Sequence, residues 1–555
     1  MATNNDLAEL LFPEVTLTLD DLEKRYPERN LPIGAEVTRF APSPTGFLHT
    51  GSLFTAMIAY IIANDTKGVY MFRLEDTDTK RTIAGSAEEL IDQLKMFGIV
   101  ADEGYFVKGD KGNYSPYQQS ARADIYKIAI KELIRQGKAY PDFCSSDDLA
   151  KLREFQEANK IIPGYYGKYA RDRNLSVDER IEKIKNGTPW VIRFRSEGNH
   201  ENKITFHDEI RGDIDLADND VDIVIFKADG LPTYHFAHAV DDHFMRTTLV
   251  TRGEEWIPST PIHLELFKAL GWKAPKYAHL PVIMKLDHGN KRKLSKRKDA
   301  EAAVSYFLKS GYPTDGVLVY LMSIANSNFE EWTIENKSLD VRAFHYSLEK
   351  MSLDGALFDL DKLNYFCKEV LAKERKETLL PKVESWAKDN DPSLYSKIIL
   401  DKDYFGKILD IEKDRPNPRK DYAKYSDIAP VIGFFYDDEY DKLISNSLPW
   451  NEKLSKETIQ EVLENAANRM IYDVDESTWW NGLKEVASSL GFATVNKEYK
   501  ANPAAYKGNV SDFAEVIRIG LTSSKQSPNL HEIIEILGKE RVQKRLLSLS
   551  KNLAN

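Results

Sequence analysis

Residues 39–52 read RFAPSPTGFLHTGS and connect two apolar segments of different character. Residues 37–41, at the start of this region, are typical of a strand, and residues 52–64 are typical of a buried helix. Two prolines and Gly46 between them predict a tight turn. A further predicted strand at residues 69–74 completes a strand, turn, helix and strand unit, which is typical of a parallel sheet.

The start of this helix is a candidate phosphate site. Gly51 and Ser52 leave room for a ligand beside the backbone amides, and the amino terminus of a helix attracts anions. Neither the glycine and lysine pattern of phosphate-loop enzymes nor that of dinucleotide folds is present, so the site would belong to another class. The same residues also fit a proline-rich structural turn in which His49 is a hydrogen-bonded helix cap.

A second informative segment reads KRKLSKRKD over residues 291–299, and six of its nine residues are cations. It follows a predicted strand at residues 279–285, and Gly289 precedes it. Charge runs are usually solvated surfaces. Here Leu294 and Ser295 interrupt the cations within a predicted loop, so the segment could bend over an anionic ligand.

Composition limits the class of protein. The 555 residues carry a net charge of −11, and 42 % are hydrophobic, which excludes a largely disordered chain and predicts three to five domains. Only two cysteines occur, so a disulfide framework and a cysteine-rich zinc site are excluded and a reducing compartment is expected. The longest apolar stretch, residues 54–63, is too short to span a membrane. These features predict a cytoplasmic protein without a membrane partner.

The order of predicted elements divides the chain into two halves. Strand-like runs at residues 189–195, 220–227 and 248–251 suggest that a sheet is completed after an insertion of about a hundred residues. Beyond residue 300 the apolar spacing is helical and strand-like runs are scarce. The expected fold is therefore a doubly wound α/β half with an insert, followed by an all-α half.

Several motifs together resemble a known family. His49-Thr50-Gly51-Ser52 resembles the HIGH signature of class I aminoacyl-tRNA synthetases, and residues 293–297 resemble their KMSKS signature. The surrounding sequence is similar to that of the glutamyl-tRNA synthetases of bacterial type. The supporting segments are Ala41–Gly46, Arg73–Asp78, Gly230–His235 with Asp241–His243, and Arg252–Trp256 with Thr260–His263. They follow the order and spacing of the family over residues 36 to 300.

This resemblance implies ATP-dependent attachment of L-glutamate to tRNA through a glutamyl adenylate, with release of AMP and pyrophosphate. Such chemistry needs positioned cations and dipoles at the α-phosphorus rather than a nucleophilic side chain. ATP with Mg²⁺ is the implied nucleotide. The implied catalytic residues are His49, Ser52, Lys293 and Lys296, and the implied ATP-binding residues are His49, Gly51, Glu255, Leu294 and Lys296.

Glutamate carries two carboxylates and one ammonium, so its pocket is expected to contain two guanidiniums and one carboxylate. The resemblance assigns the carboxylates to Arg39 and Arg252 and the ammonium to Glu75. The full implied glutamate-binding set is Arg39, Ala41, Ser43, Glu75, Tyr234, His238 and Arg252. A glutamine side chain would not need the second guanidinium, and this argues against the related glutaminyl enzymes.

Two departures from the family are visible. His238 stands where the family usually has asparagine, and its charge is expected to vary with pH. Some relatives bind zinc in the insert through several cysteines, but only Cys144 occurs there, so no structural zinc and no protein-held metal are expected.

The helical half is expected to bind RNA. The resemblance implies tRNA(Glu) as the partner of a monomer; a non-discriminating enzyme that also glutamylates tRNA(Gln) is the alternative. Candidate RNA-binding cations are Lys539, Arg541, Lys544 and Arg545, and residues 415–420 with Lys424, although such clusters are more often ordinary helix surfaces. A binding protein that has lost catalysis is disfavoured because His49, Lys296, Arg39 and Arg252 are all present.

The expected boundaries combine these observations. They are an amino-terminal extension (1–33), which is polar and acidic, the first catalytic half (34–110), an insert that binds the acceptor end (111–219), the second catalytic half (220–285), the basic loop and stem-contact region (286–360), and two helical anticodon-binding subdomains (361–480 and 481–555).

Overall fold

A computed structural model describes residues 1–295, 297–336, 340–353 and 355–554. The chain forms two compact units. Unit 1 contains Met1–Tyr306 and Leu318–Asp359, and unit 2 contains Phe307–Val317 and Leu360–Asn555. Among the described residues, no helix is both long enough and apolar enough to cross a membrane.

The described strands all lie in unit 1. They are β1 (Val37–Phe40), β2 (Val69–Phe72), β3 (Glu103–Gly104), β4 (Ala139–Asp142), β5 (Val191–Phe194), β6 (Lys203–Asp208), β7 (Gly212–Ala217), β8 (Val224–Phe226), β9 (Leu249–Gly253), β10 (Lys276–Leu280), β11 (Ile283–Asp287), β12 (Asn290–Lys293) and β13 (Ala356–Leu357).

The helices fall into two groups. Those up to residue 335 are α1 (Asn4–Leu11), α2 (Leu19–Arg25), α3 (Thr50–Asp65), α4 (Ser86–Met96), α5 (Ala123–Arg135), α6 (Ser146–Ala158), α7 (Val177–Lys185), α8 (Tyr234–Phe244), α9 (Thr260–Ala269), α10 (Val304–Ser310), α11 (Thr314–Ala325) and α12 (Phe329–Glu335). Those from residue 360 are α13 (Leu360–Lys373), α14 (Lys376–Asn390), α15 (Pro392–Leu400), α16 (Lys402–Leu409), α17 (Ile428–Ile432), α18 (Asp437–Ile444), α19 (Lys456–Arg469), α20 (Glu476–Ser489), α21 (Asn496–Ala501), α22 (Val510–Thr522), α23 (Leu530–Leu537) and α24 (Lys539–Ala554).

Short 3₁₀ helices connect several of these elements. They are Gln119–Arg122, Gly167–Tyr169, Arg171–Asn174, Glu254–Ser259, Ala300–Ala302, Val341–Ala343, Leu348–Lys350, Tyr425–Asp427, Gly433–Phe435 and Pro503–Ala505.

The parallel strands of unit 1 form two groups that meet at β1 and β9. Strands β1, β2 and β3 are parallel in that order, and β9, β10 and β6 form the second parallel set, with β7 antiparallel at its edge. The backbone N–H of Thr248 donates to the carbonyl of Val37 at 3.0 Å and joins the two sets. The chain thus runs outward in both directions from β1 and β9, and the predicted doubly wound α/β arrangement is confirmed.

The predicted strand over residues 279–285 is in fact two strands in different sheets. β10 ends at Leu280, and β11 begins at Ile283 and pairs with β12 and β13. Pro281 lies between them and has no N–H to continue a ladder of hydrogen bonds, which explains the break.

Strand pairing crosses the predicted boundary between insert and catalytic half at residue 219. β6 lies inside the predicted insert but pairs with β10 of the parallel sheet, whereas β8 lies beyond it and pairs with β5 in a separate antiparallel sheet with β4. Pairing partners are set by tertiary contacts that a linear pattern does not show. The domain boundaries stay predictions.

The predicted amino-terminal extension, residues 1–33, contains two helices that pack on the core of unit 1. The helices α1 and α2 pack against α5, and their side chains Leu7, Leu22 and Tyr26 are buried in the core. Each helix begins with a threonine that forms a reciprocal capping box with an aspartate. The acidic composition hid two short amphipathic helices because charge was averaged over both faces.

Unit 2 contains helices and no strand among its described residues, as the spacing predicted. Its core is formed by one continuous apolar cluster that includes Leu379, Val383, Leu463, Ile517 and Leu546.

The predicted basic clusters of unit 2 are largely neutralised. Arg545 is buried and donates to the Phe434 carbonyl at 2.6 Å and to Asp437 at 2.7 Å, so it stabilises the fold. Arg415 pairs with Glu532 at 3.0 Å, and Arg419 pairs with Asp421 at 2.6 Å. Arg545 is therefore a structural residue, whereas Arg415 and Arg419 are surface cations paired with carboxylates, and an RNA-binding role for these clusters stays a prediction.

Candidate active site

A cavity of about 1130 Å³ opens at the carboxyl ends of the parallel strands of unit 1. Its wall is formed by the segments that follow β1, β2, β9 and β10, together with the start of α8 and the end of β12. In doubly wound sheets, ligands bind at this edge, where the winding direction reverses. β1 and β9 are the two strands at that point.

Most of the predicted site residues line this cavity. They are Arg39, Ala41, Ser43, His49, Gly51, Ser52, Glu75, Tyr234, Arg252, Glu255, Lys293 and Leu294. His238 does not contribute to the wall. Lys296 lies outside the described residues.

The turn after β1 places His49 at the start of α3. Gly46 has φ +151°, which favours glycine, and the backbone N–H of Gly51 donates to His49 Nδ1 at 3.0 Å. His49 is therefore the helix cap, as the structural interpretation of this segment predicted, and it also lines the cavity. Because Nδ1 accepts, a neutral ring carries its proton on Nε2.

A buried network of charges holds the floor of the cavity. Asp242 Oδ1 lies 3.2 Å from Arg39 Nε and 2.6 Å from Arg73 Nη1, and Arg73 Nη2 lies 2.9 Å from Glu75 Oε1. Burial alone would raise the pKa of Asp242, but Arg39 and Arg73 hold it well below its usual range. Arg39 thus shares its positive charge with a protein carboxylate.

Glu75 has one oxygen turned to the protein and one without a described partner. Its Oε1 accepts from Arg73, whereas no hydrogen bond from a described residue reaches Oε2. Burial raises the pKa of Glu75, against the opposing effect of Arg73 and Arg39. A bound ammonium group would donate a hydrogen bond to Oε2 of Glu75.

We expect Asp242→Asn to destabilise the protein strongly. The variant leaves Arg39 without its carboxylate and Arg73 with Glu75 alone, and breaking a buried ion pair typically costs about 3–5 kcal/mol. Urea denaturation measures the loss. Glu157→Gln, which removes the partner of exposed Arg153, is the control and should leave the midpoint unchanged. Equal midpoints for both variants would contradict the proposed importance of the network.

Arg252 has a different environment from Arg39. It is 5 % exposed, yet it forms no ion pair with any described carboxylate. Its Nε donates to His279 Nε2 at 3.0 Å, Nη1 lies 3.1 Å from His263 Nδ1, and Nη2 donates to Thr260 Oγ1 at 3.0 Å. The positive charge of Arg252 is therefore not neutralised by direct contact, and it lines the cavity.

The expectation that the charge of His238 varies with pH is wrong near neutrality. His238 is fully buried beneath Tyr234, its Nε2 lies 3.1 Å from Tyr277 Oη, and its Nδ1 lies 2.8 Å from Asp242 Oδ2. Burial lowers its pKa to about 3, although Asp242 favours the charged form. The ring is thus neutral, and a cavity ligand would meet Tyr234 before it met His238.

The buried state of His238 makes stability depend on pH. A histidine whose pKa is lower when folded binds fewer protons in the folded state, so the free energy of unfolding falls as pH drops below about 6.5. We expect His238→Asn to remove this dependence, reducing the loss between about pH 8 and pH 5 by about 2 kcal/mol. Urea denaturation at both pH values measures it. If the free energy of unfolding fell equally in the wild-type and His238→Asn proteins, His238 would not be a buried neutral ring.

The basic segment forms a hairpin rather than an open loop up to residue 293. β11 and β12 are joined by His288 and Gly289, both with positive φ, and Arg292 pairs with Asp287 and with Asp299, each at 2.6 Å. Lys285 pairs with Glu301. Some of the predicted cations are thus neutralised, while exposed Lys293 and buried Leu294 line the cavity.

Sequence reasoning missed some contributors to the site. The ring of Trp256 lies 4.3 Å from that of Tyr234, and both line the cavity. His263 and His279 contact Arg252 from behind. Trp256 and His263 lie inside motifs that carried the family resemblance, so their positions were visible, but their contacts with Tyr234 and Arg252 were not.

Cys144 lies in a group with Asp142 and Asp172 whose ligand atoms fall within 4.8 Å of one another. The carboxylates already bind protein donors: Asp142 accepts from Arg193 at 2.6 Å, and Asp172 accepts from the backbone of Phe143 at 2.8 Å. Burial raises the pKa of the Cys144 thiol to about 11. The absence of a structural zinc stays a prediction.

A second cavity, of about 930 Å³, lies in unit 2. Trp479, Trp480 and His531 contribute aromatic surfaces, with Trp479 5.3 Å from His531 between ring centroids. Arg518 and Lys525 contribute cations, but Arg518 donates to the Pro528 carbonyl at 2.9 Å and Lys525 pairs with Glu515 at 3.6 Å. Trp479 is 3 % exposed and belongs to the core, so Trp480 and His531 offer the aromatic surface of this cavity.

The two parts of the chain match two family models. Residues 36–364 match the model described as tRNA synthetases class I (E and Q), catalytic domain. The chain belongs to this family of class I tRNA synthetases. Residues 379–549 match the model of an anticodon binding domain, so this synthetase carries both regions that the motifs predicted.

Similar proteins agree over nearly the whole length. The synthetase is 45 % identical over 542 residues to a glutamate--tRNA ligase of Clostridium perfringens (strain 13 / Type A), covering 98 % of this chain and 99 % of that protein. It is 43 % identical to one of Acetivibrio thermocellus, covering 98 % and 99 %. A crystal structure of a glutamate tRNA ligase from Elizabethkingia meningosepticum in complex with its amino acid is similar with a TM-score of 0.73, 28 % identity, and coverage of 93 % and 99 %.

Proposed function

We propose that this enzyme attaches L-glutamate to tRNA(Glu) through a glutamyl adenylate, with release of pyrophosphate and then AMP. The observation that carries the proposal is the pairing, in one cavity, of the unneutralised guanidinium of Arg252 with the open oxygen of Glu75. Relatives named glutamate--tRNA ligases are similar over nearly the full chain.

The charges of the cavity complement those of glutamate. The amino acid brings two carboxylates and one ammonium, and Arg252, Arg39 and Glu75 supply the opposite charges. Ser43 and Tyr234, which also line the cavity, would add hydrogen bonds. Two guanidiniums and one carboxylate favour a dianionic amino acid over its neutral amide.

The start of α3 and the end of β12 form the proposed nucleotide side. His49, Gly51 and Ser52 present a helix amino terminus, and Lys293 adds a cation. A carboxylate oxygen of glutamate attacks the α-phosphorus of ATP, and the bond from that phosphorus to the bridging oxygen of pyrophosphate breaks. These groups would stabilise the charge that develops on the phosphate oxygens.

Mg²⁺ would accompany ATP as the counterion of its phosphates. Hard cations of this kind are held largely by substrate phosphates. Glu255 lines the cavity and is proposed to lie near the ATP. The amino acid then passes from the adenylate to a hydroxyl of the terminal adenosine of tRNA.

Unit 2 is the proposed RNA-binding region. Its match to an anticodon binding domain supports this role. Glutamylation of tRNA(Gln), the monomeric state and the cytoplasmic location stay predictions.

Exchange of radiolabelled pyrophosphate into ATP tests the activation step. The assay would compare glutamate with glutamine, each with and without purified tRNA(Glu). We expect exchange with glutamate alone or with glutamate plus tRNA, and background exchange with glutamine. Glutamine-dependent exchange would overturn the substrate assignment, and no exchange under any condition would favour a binding protein.

A further inference from the structure

The guanidinium of Arg252 is held from behind by two histidines that come from different elements. His279 lies on β10 and His263 on α9, and both are fully buried. Arginine has five N–H donors and no acceptor, so each histidine nitrogen that receives a hydrogen bond from Arg252 must carry a lone pair. The ring positions of both protons follow from this constraint.

The proton of His279 must lie on Nδ1. Its Nε2 accepts from Arg252 Nε at 3.0 Å, so Nδ1 is the protonated nitrogen of the neutral ring. Nδ1 lies 2.6 Å from Asp208 Oδ2 on β6, which accepts this hydrogen bond. The same Asp208 oxygen also accepts from the backbone N–H of His279 at 3.0 Å, and this fixes the ring orientation.

The proton of His263 must lie on the opposite nitrogen. Its Nδ1 faces Arg252 Nη1 at 3.1 Å and accepts, so Nε2 carries the proton. Nε2 lies 2.9 Å from His235 Nδ1 on α8, which accepts in turn. The two histidines therefore hold opposite tautomers, and each tautomer is set by a further residue.

We propose that His263 and His279 are positioning residues that hold Arg252, through fixed and opposite tautomers, in the orientation that binds a carboxylate of glutamate. The inference rests on the proposed function, because it takes that carboxylate as the ligand of Arg252. Neutral acceptors fix the guanidinium without neutralising it, so its full charge is left for the ligand. A carboxylate in their place would compete with glutamate, as Asp242 does for Arg39.

Burial keeps His263, His279 and His235 neutral. It lowers the pKa of His263 well below its usual value, and it lowers the pKa of His279 and of His235 as well, although Asp208 opposes the effect at His279. The titratable and charged groups that face this cluster are Tyr234, His238 and Asp242 from α8, Arg39 from β1, Asp208 and Arg211 from the β6 hairpin, and Tyr277 from β10.

Amide side chains of two lengths test the two tautomers. The amide of asparagine overlays Nδ1 of a histidine, and the amide of glutamine overlays Nε2. We expect His263→Asn and His279→Gln to keep an acceptor for Arg252, whereas His263→Gln and His279→Asn place the amide on the wrong side. All four variants are polar and similar in size.

The exchange assay with tRNA measures KM for glutamate and KM for ATP separately in each variant, and the two changes are compared. We expect a KM for glutamate within about threefold of wild type for His263→Asn and His279→Gln, and a rise of at least about tenfold for His263→Gln and His279→Asn. The KM for ATP should stay within about twofold in all four. Four equal effects, the reverse pattern, or parallel rises in both KM values would overturn the inference.

A spectrum of the wild-type protein gives a second test that needs no active variant. Histidine-selective ¹⁵N spectra should contain two non-titrating rings protonated on Nδ1: that of His238, whose Nδ1 lies 2.8 Å from Asp242, and that of His279, whose signal is absent from His279→Gln. Fewer than two such rings in the wild-type protein would overturn the inference even if all variants failed to fold. Wild-type protein without glutamate-dependent exchange would instead remove the proposed function while leaving the tautomers intact.

Discussion

Replacing Arg252 by glutamine should lower kcat/KM for glutamate by about 30-fold to several thousand-fold. Removing one member of a buried, hydrogen-bonded charge pair costs about 2–5 kcal/mol, and Arg252 has no described protein carboxylate to share that charge. The loss should appear in exchange kinetics chiefly as a higher KM for glutamate. The KM for ATP should change little, because the proposed nucleotide side is formed by other residues, among them His49 and Lys293.

Two controls separate charge from packing in this variant. Arg252→Lys keeps the charge but loses the planar fork, so we expect an intermediate loss. Arg153→Gln, on an exposed face of α6, should leave the kinetics unchanged. A fully folded Arg252→Gln protein with normal KM for glutamate would exclude Arg252 as the carboxylate-binding group.

Replacing Glu75 by glutamine should lower kcat/KM for glutamate by about 10- to 150-fold. The amide can still accept from Arg73, but it removes the negative charge from the oxygen that faces no described donor. A hydrogen bond to a charged group contributes about 1.5–3 kcal/mol. Steady-state exchange with varied glutamate measures the effect.

An inhibitor that lacks the ammonium is the matched control for Glu75. Glutarate has both carboxylates and no amino group, so its inhibition constant should change little in Glu75→Gln while glutamate binding weakens. If the binding of both ligands weakened equally, Glu75 would act through Arg73 and the cavity floor rather than through the ammonium.

Sequence reasoning located the cavity because its residues lie in short consecutive motifs. Each such motif contributes a residue to the lining of the same cavity, and examples are His49, Glu75, Tyr234 and Arg252. The Pro-rich turn and the helix start could be predicted because proline, glycine and a cap act locally.

Contacts between distant positions could not be predicted in this way. Asp242 lies 203 positions from Arg39, and a separation of this size leaves no local pattern from which their pairing could be predicted. The neutrality of His238 depends on burial by Tyr234 and Tyr277, which no spacing shows. The ion pair of Arg415 with Glu532 could not be predicted either, because the two residues are 117 positions apart.

Formation of an ester between glutamate and tRNA is the reaction that the proposed function requires. Radiolabelled L-glutamate, ATP and purified tRNA(Glu) incubated with the protein should give acid-precipitable, alkali-labile product that requires all three substrates, with one AMP released for each ester formed. Labelled glutamine should give none. Attachment of glutamine, or no labelled tRNA with glutamate under conditions in which the protein is folded, would contradict the account.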